Sequence, residues 1–302
     1  GPGHRLDDRS WLDRLRRAAT ALPAEARAPL AAFAYDSGTA GAMVLSGVSI
    51  ETDLPPTPTV AGSVRRTPSL ASATLLLLAQ VLGQPIAYRE EKSGALVQDV
   101  VPVRGLESDQ SNAGSVELLL HTENAFHPYR PDYVLLLCVR ADPSGLASLR
   151  LASIRDARPL LDADTVAILR QPRFRTAAPS SFGGLEEAQV GPVLTGASDD
   201  PDVCVDFAVT RAMDAEAAAA LDRLQTALQQ VAHTVNLQVG DLAVVDNRIA
   251  VHGRTAYRPR FDGSDRWLHR TYVHVDFRRS RQLRPADGHV LESRHEVGRH
   301  ET

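Results

Sequence analysis

Cysteine and lysine are both scarce in this chain of 302 residues, which has two cysteines and a single lysine, Lys92. Cys138 and Cys204 are too few for a disulfide framework or for a cysteine-based zinc motif. Cys138 lies inside an apolar run, which predicts an ordinary buried thiol. Because lysine is almost absent, arginine must supply nearly all of the positive charge that any site in the protein uses.

Long apolar runs are absent as well. Residues 73–82 form the longest candidate, which falls far short of the roughly 20 residues of a membrane span, and Gln80 interrupts it. No secretory signal pattern is present, and residues 1–4 resemble a protease-cleavage scar outside the fold. The formal net charge of -4 implies no general attraction to nucleic acid. These features predict a cytoplasmic protein with neither a nucleic-acid nor a membrane partner.

Neither an internal repeat nor a long linker divides the chain, so we predict one domain over residues 5–302. Helix-period apolar positions predict helices in the segments 10–34, 68–82, 162–170 and 214–233. Short apolar runs between turns predict strands in the segments 96–103, 116–120, 133–140, 147–154, 241–246 and 267–277. This pattern indicates a mainly β protein, a β-sandwich with flanking α-helices. Residues 213–235 would be a helical insertion, and residues 278–302 a tail that either packs on the domain or is partly disordered.

The motif His121-Thr122-Glu123 follows a predicted strand, and His252 lies far downstream on what we predict to be a second strand. Residues i and i+2 of a strand point to the same side, so His121 and Glu123 can reach one metal, with His252 as the third ligand. Two imidazoles and one carboxylate are the ligand set of a non-haem iron site that leaves coordination positions open. The same ligands also suit zinc in a hydrolase.

The surrounding residues resemble the metal motifs of the clavaminate synthase-like group of Fe(II)/2-oxoglutarate oxygenases. The similarity extends from about residue 90 to 272 and is concentrated in segments 121–132, 246–254, 259–263 and 265–270. Glutamate as the carboxylate ligand is characteristic of that group. The resemblance implies a distorted double-stranded β-helix, the cupin-like jelly roll, with additional helices. It also implies Fe(II), 2-oxoglutarate and O2 as cofactor and co-substrates, and a place close to the arginine- and asparagine-type L-amino acid β-hydroxylases.

Further residues take roles from this resemblance. Arg266, 14 residues after His252, corresponds to the arginine that binds the distal carboxylate of 2-oxoglutarate, and Ser148 to the hydroxyl residue beside it. A guanidinium suits this task because it grips a carboxylate through two parallel hydrogen bonds. Arg270 corresponds to the arginine for the α-carboxylate of the substrate. The remaining candidate substrate contacts, besides Glu123 at the metal, are Ser111, Asp206 and Glu91.

Asp206 departs from the pattern of the arginine hydroxylases of this group, in which two acidic residues alternate. This chain has Cys204 and Ala208 on either side instead, which argues against free arginine as substrate. Some polar side chains are expected to have no role in catalysis. His127, His269 and His274 are predicted to be structural or exposed, and Arg254, Arg258 and Arg260 to be surface or salt-bridging groups. The loop 179–184 is either a lid or a plain solvent loop.

The resemblance predicts an enzyme that hydroxylates an unactivated C–H bond, at C3 or C4 of a polar L-amino acid or its derivative, for a specialised natural product. One alternative keeps the iron site but gives desaturation, cyclisation or epoxidation. Another is a catalytically inactive jelly-roll binding protein, and a third is the zinc hydrolase.

Overall fold

A computed structural model of the protein describes residues 5–179, 182 and 188–292. The helices are α1 Arg9–Thr20, α2 Ala24–Tyr35, α3 Leu70–Leu82, α4 Ile154–Ala157, α5 Ala163–Leu169 and α6 Ala215–Val231. The strands are β1 Ala42–Leu45, β2 Val64–Arg65, β3 Gln84–Tyr88, β4 Val97–Val100, β5 Leu118–His121, β6 Tyr133–Arg140, β7 Leu149–Ser153, β8 Phe174–Thr176, β9 Gln189–Gly191, β10 Leu194–Gly196, β11 Pro201–Val203, β12 Thr210–Ala212, β13 His233–Val235, β14 Leu242–Asp246, β15 Ala250–Arg254, β16 Trp267–His274 and β17 Val290–Leu291.

Two sheets of unequal size form the body of the structure. The larger sheet has the order β1-β14-β6-β16-β3-β17, with β4 also paired to β16 and β2 to β4. The smaller sheet has the order β13-β7-β15-β5. The pairings within both sheets are antiparallel, apart from the parallel pair of β17 and β3. A hairpin of β10 and β11 and a small sheet β12-β8-β9 lie beside them.

Strand β6 shows why the larger sheet reads as continuous apolar sequence. Alternate residues of a strand face opposite sides of the sheet. Leu135 and Leu137 belong to an apolar cluster with helices α1, α2 and α3, whereas Val134 and Leu136 belong to the cluster between the two sheets. Both faces of the sheet are therefore covered, and neither set of positions needs to be polar.

A third apolar cluster covers the outer face of the smaller sheet. Val251 of β15 and Ala152 of β7 contribute to it, together with Leu224 and Leu228 from α6. The layers are accordingly helices α1–α3, the larger sheet, the smaller sheet, and helices α4–α6. This is the predicted arrangement of a β-sandwich with helical flanks, and it confirms a mainly β jelly roll.

Most predicted elements are present, with shorter ends. The side chain of Asp214 accepts a hydrogen bond from the Ala217 N–H at 2.9 Å and caps α6, whose start agrees with the predicted helix. Strand β6 has the predicted bounds, and the break of the first helical segment falls at Pro23. The short strands β8–β13 lack a clear apolar alternation and are missing from the sequence prediction. The single domain over 5–302 and the insertion at 213–235 stay predictions.

The described part of the C-terminal tail packs on the domain. Arg284 is buried, its Nη1 donates to the Gly288 carbonyl at 2.7 Å, and β17 pairs with β3. Residues 1–4 and 293–302, and the predicted lid loop apart from Pro179 and Phe182, lie outside the described residues. Within the described ranges, no helix combines the length and apolar character needed to cross a bilayer.

Because two histidines are buried, we expect the free energy of unfolding to fall in acid. Burial lowers the pKa of His274 to about 3 and that of His269 to about 4. Unfolded histidine has a pKa of about 6.5, so below that pH the unfolded state binds more protons and stability falls. Each histidine should lower the free energy of unfolding by about 2 kcal/mol between pH 7 and pH 5.

Urea unfolding of the wild type and of His274→Gln at both pH values measures this effect. The variant should lose about 2 kcal/mol less on acidification. The same change at the exposed His233 serves as control and should leave the pH dependence as in wild type. A pH dependence in His274→Gln equal to that of wild type would contradict the assignment.

Candidate active site

Strand pairing brings the two predicted histidine ligands together. His121, the last residue of β5, and His252 on β15 are directly opposite each other in the antiparallel register. Their ring centroids are 4.4 Å apart. The prediction that His252 comes from a strand next to His121 is therefore confirmed, and the two imidazoles converge although 131 positions separate them in sequence.

Glu123 lies two residues beyond the end of β5, in a turn rather than in the strand. The side chain of Asn247 fixes this turn. Its Oδ1 accepts from the Glu123 N–H at 2.8 Å, and its Nδ2 donates to the carbonyls of Glu123 and Pro131 at 3.0 and 2.9 Å. Asn247 is fully buried, so this single amide fixes the backbone from which the Glu123 side chain extends.

His121, Glu123 and His252 form the one group of three potential metal ligands found among the described residues. One ligand atom of each lies within 4.8 Å of the others. Nε2 of His252 is 3.3 Å from Glu123 Oε2, and Nδ1 of His121 is 2.9 Å from the Leu119 carbonyl. A donor at Nδ1 leaves Nε2 of His121 free to bind a metal. The donor set and its open side fit a divalent iron ion.

A buried network of charges surrounds the carboxylate of Glu123. Arg270 Nη1 donates to Glu123 Oε1 and Oε2 at 3.1 and 3.2 Å, and Nη2 forms an ion pair with Glu91. Arg270 Nε donates to Gln98 at 3.1 Å. The Tyr272 hydroxyl is 3.1 Å from Glu123 Oε1 and 3.0 Å from Glu91 Oε2.

The protonation states of this network favour metal binding. Burial by itself raises the pKa of Glu123, but the nearby charge of Arg270 and the contact with His252 outweigh it and hold that pKa far below its usual range. Burial, followed by repulsion from His121, lowers the pKa of His252. Burial raises the pKa of Tyr272 well above 10. At neutral pH the site thus has an anionic carboxylate, a neutral His252 and a protonated tyrosine.

A cavity of about 430 Å³ opens onto this cluster. His121 and Glu123 line this cavity. Three of the predicted substrate contacts line it as well, namely Glu91, Ser111 and Asp206. Glu91 rather than Lys92 faces Arg270, because the Lys92 ammonium donates to the carbonyls of Ala61 and Asp99 at 2.7 and 3.0 Å. Ser111 also has a turn role, since its Oγ accepts from the Ala113 N–H at 3.2 Å.

Arg266 lies away from this cavity, immediately before β16, and its Nη1 is buried without a hydrogen-bond partner among the described residues. Arg254 is buried nearby and its guanidinium stacks over the Tyr257 ring at 5.2 Å. Burial, followed by repulsion from Arg266, lowers the pKa of Arg254 to about 10. Neither arginine has a carboxylate partner in the described structure, so this region is suited to bind an anion.

The prediction that Arg254 is a surface or salt-bridging group is wrong. Its position two residues after His252 on β15, where both faces of the strand are covered, explains the burial. Arg270 contacts Glu123 beyond the end of β5, and Arg266 lies near Arg254 of β15, so both arginines reach the smaller sheet. The Ser148 hydroxyl donates to Asn236 Oδ1 at 2.5 Å, and the Ser148 N–H donates to Thr255 Oγ1 at 2.8 Å.

Four polar residues of the site are missing from the sequence prediction: Gln98, Asn112, Asn247 and Tyr272. Tyr272 had a usable signal, since it is two residues after Arg270 on one strand and must share its face. The Asn112 amide, in the orientation that satisfies its hydrogen bonds, accepts from Arg270 Nη1 at 2.7 Å and Nη2 at 3.0 Å. The family resemblance implies a hydroxyl residue at this point of the chain and therefore favours Ser111 over its neighbour Asn112.

Comparisons with known proteins agree with this geometry. Residues 64–272 match the family model described as taurine catabolism dioxygenase TauD, TfdA family. L-asparagine oxygenase of Streptomyces coelicolor is 54% identical over 95% of this chain and 87% of that protein. Clavaminate synthase 2 of Streptomyces clavuligerus is 34% identical over 90% of this chain and 86% of that protein.

A solved structure of asparagine oxygenase with Fe(II), 2S,3S-3-hydroxyasparagine and succinate superimposes with a TM-score of 0.94. It shares 52% sequence identity and covers 96% of this chain and 92% of that one. The chain therefore belongs to the TauD/TfdA family, as an Fe(II)- and 2-oxoglutarate-dependent dioxygenase. This confirms the clavaminate synthase-like resemblance and the predicted enzyme class.

Close packing of β15 against β5 makes Gly253 a sensitive position for the site. A Cβ added there would lie 2.5 Å from the Leu118 carbonyl oxygen. Gly253→Ala should therefore separate the strands that carry His121 and His252, lower the free energy of unfolding by about 1–3 kcal/mol and weaken Fe(II) binding. Gly191→Ala, where a Cβ meets no atom within 4 Å, is the matched control. Wild-type Fe(II) affinity in Gly253→Ala would contradict this dependence.

Proposed function

We propose that this enzyme hydroxylates free L-asparagine at C3, with iron bound by His121, Glu123 and His252. One observation carries the proposal. The buried anion Glu91 lines the cavity together with the ligands His121 and Glu123, and the buried cation Arg270 is ion-paired with both Glu91 and Glu123. Such a pair matches the α-carboxylate and α-ammonium of an amino acid, and each end of that zwitterion would find a charge of opposite sign. The relatives with asparagine oxygenase in their names support the choice of side chain.

The lining of the cavity favours a carboxamide over a charged side chain. Asn112 offers an amide that can both donate and accept hydrogen bonds. Asp206 is a single carboxylate, which can accept from the amide nitrogen of asparagine and would repel the side-chain carboxylate of aspartate. A long cationic side chain would meet one acid here rather than an alternating pair.

2-Oxoglutarate would be held by the second group of cations. Arg266 has a buried guanidinium nitrogen with no hydrogen-bond partner in the described structure, and a carboxylate would satisfy it. Arg254 adds a second positive charge, and Ser148 a hydroxyl whose oxygen can still accept. Bound together, Fe(II), 2-oxoglutarate and O2 supply the oxidising power for attack on an unactivated C–H bond.

The protein residues themselves bind and orient. Arg270 and Glu91 hold the backbone end of asparagine, Asn112 and Asp206 hold its carboxamide, and C3 lies between these two ends. Asparagine has its only methylene at C3, because its C4 is the carboxamide carbon and carries no hydrogen. Holding the substrate at both ends favours hydroxylation at C3 over desaturation or ring closure. Relatives include an L-asparagine oxygenase, an L-lysine 3-hydroxylase and an L-ornithine/L-arginine 3-hydroxylase, which gives no support to an inactive binding protein. A cytoplasmic location is part of the same proposal.

Succinate release and product mass measured with a panel of amino acids test the function. L-Asparagine should give equal amounts of succinate and hydroxyasparagine, whereas D-asparagine, L-aspartate, L-glutamine and L-arginine should give little. Asp206→Asn should narrow the preference for asparagine over aspartate. Hydroxylation of L-arginine at a rate equal to that of L-asparagine would exclude the proposed side-chain assignment.

Arg266→Met tests the co-substrate site. Loss of a charge-assisted contact of about 2 kcal/mol should raise the Kd for 2-oxoglutarate roughly 30-fold and leave asparagine binding unchanged. Because Arg266 has no described ion-pair partner, the melting temperature without 2-oxoglutarate should not fall. Arg258→Lys, at an exposed position, is the control. A large fall in melting temperature with normal 2-oxoglutarate binding would show that Arg266 is structural.

A further inference from the structure

The hydroxyl of Tyr272 lies between two carboxylates that have different proposed tasks. It is 3.0 and 3.1 Å from the two oxygens of Glu91, the proposed ammonium acceptor. It is also 3.1 Å from Oε1 of Glu123, the proposed metal ligand. All three side chains are buried, so their hydrogen bonds to one another are shielded from bulk solvent except on the side of the cavity.

The number of available protons limits what Tyr272 can do. A phenol donates one hydrogen bond, so its proton can serve Glu91 or Glu123 but not both. Arg270 is not limited in this way, because a guanidinium has five N–H donors and reaches both carboxylates at once. Tyr272 is therefore the member of the network that can donate to only one of the two carboxylates at a time.

The two oxygens of Glu123 are not equivalent. Oε2 lies 3.3 Å from His252 Nε2, on the side where the ligand atoms converge. Oε1 is the oxygen that Tyr272 contacts. A hydrogen bond to Oε1 would hold the carboxylate with Oε2 turned towards the metal, which is how outer partners orient a ligand.

We propose that Tyr272 is a positioning residue that couples amino-acid binding to iron binding. An ammonium group that binds Glu91 supplies that carboxylate with new donors. The Tyr272 proton then goes to Glu123 Oε1 and fixes the metal-binding orientation, while Arg270 turns to the substrate carboxylate. The inference rests on the proposed function for the identity of the amino acid. It predicts that asparagine tightens Fe(II) binding, and by linkage that Fe(II) tightens asparagine binding.

Tyr272→Phe removes the hydroxyl and keeps the ring, which packs edge-on against Tyr88 with centroids 5.8 Å apart. Anaerobic Fe(II) titration against a chromogenic chelator, without 2-oxoglutarate so that no turnover occurs, measures the Kd for iron. In wild type, saturating L-asparagine should lower this Kd at least about 5-fold. In Tyr272→Phe the effect of asparagine should disappear, and Fe(II) should bind about 10-fold more weakly when asparagine is present.

Tyr133→Phe is the matched control. Tyr133 is as buried as Tyr272, but its hydroxyl donates to the Ala34 carbonyl at 3.4 Å and contacts neither Glu91 nor Glu123 in the described structure. It should retain the full effect of asparagine. Glu91→Gln is a second test that does not depend on the folding of Tyr272→Phe. Its neutral amide competes less well for the phenol proton, so Fe(II) should bind more tightly even without asparagine.

An unchanged asparagine effect in Tyr272→Phe, or asparagine binding in wild type without any effect on iron, would overturn the coupling and leave the proposed substrate intact. Calorimetric measurement of L-asparagine binding to the wild type distinguishes failure of the coupling from failure of the proposed function. If wild type does not bind L-asparagine at all, the proposed function fails, and the coupling fails with it.

Discussion

The site depends on one buried interaction, the ion pairing of Arg270 with Glu123 and Glu91. Two carboxylates in a dry interior repel each other and would take up protons without a cation between them. Arg270 keeps Glu123 anionic, and its own charge is retained because it contacts both carboxylates at once. The layered fold provides the dry surroundings, since the clusters on either side of the two sheets exclude water from the space between them.

The two halves of the site differ in the sign of their charge. On the cavity side, Glu91, Glu123 and Asp206 give an acidic wall with Arg270 as its cation. On the other side, Arg266 and Arg254 are buried cations without described carboxylate partners. A zwitterionic amino acid suits the first half, and a dianionic co-substrate suits the second. The same sheets can thus hold two small molecules in two regions of opposite charge.

The arginine-rich composition has a structural consequence here. A guanidinium can be buried with several hydrogen bonds fixed in one plane, whereas an ammonium is more strongly hydrated and loses its charge more readily when buried. The single lysine illustrates the difference, because burial lowers the pKa of Lys92 to about 8 and its ammonium points to backbone carbonyls. At that turn its neighbour Glu91, and not Lys92, contacts the buried Arg270.

The sequence by itself determined the ligand types, the strand that carries His252, the layers of the fold and the spacing of Arg266 and Arg270. The strands and layers follow from local periodicity, because a strand places alternate residues on one face and an apolar pattern reveals which face is buried. The ligand types follow from the His-x-Glu motif, and the importance of Arg266 and Arg270 is what the family resemblance implies. Only the tertiary structure decided that Glu91 rather than Lys92 meets Arg270, that Asn247 fixes the Glu123 turn, and that Arg254 is buried. These depend on contacts between residues more than a hundred positions apart, or on the packing of one layer against another, and no local pattern records them.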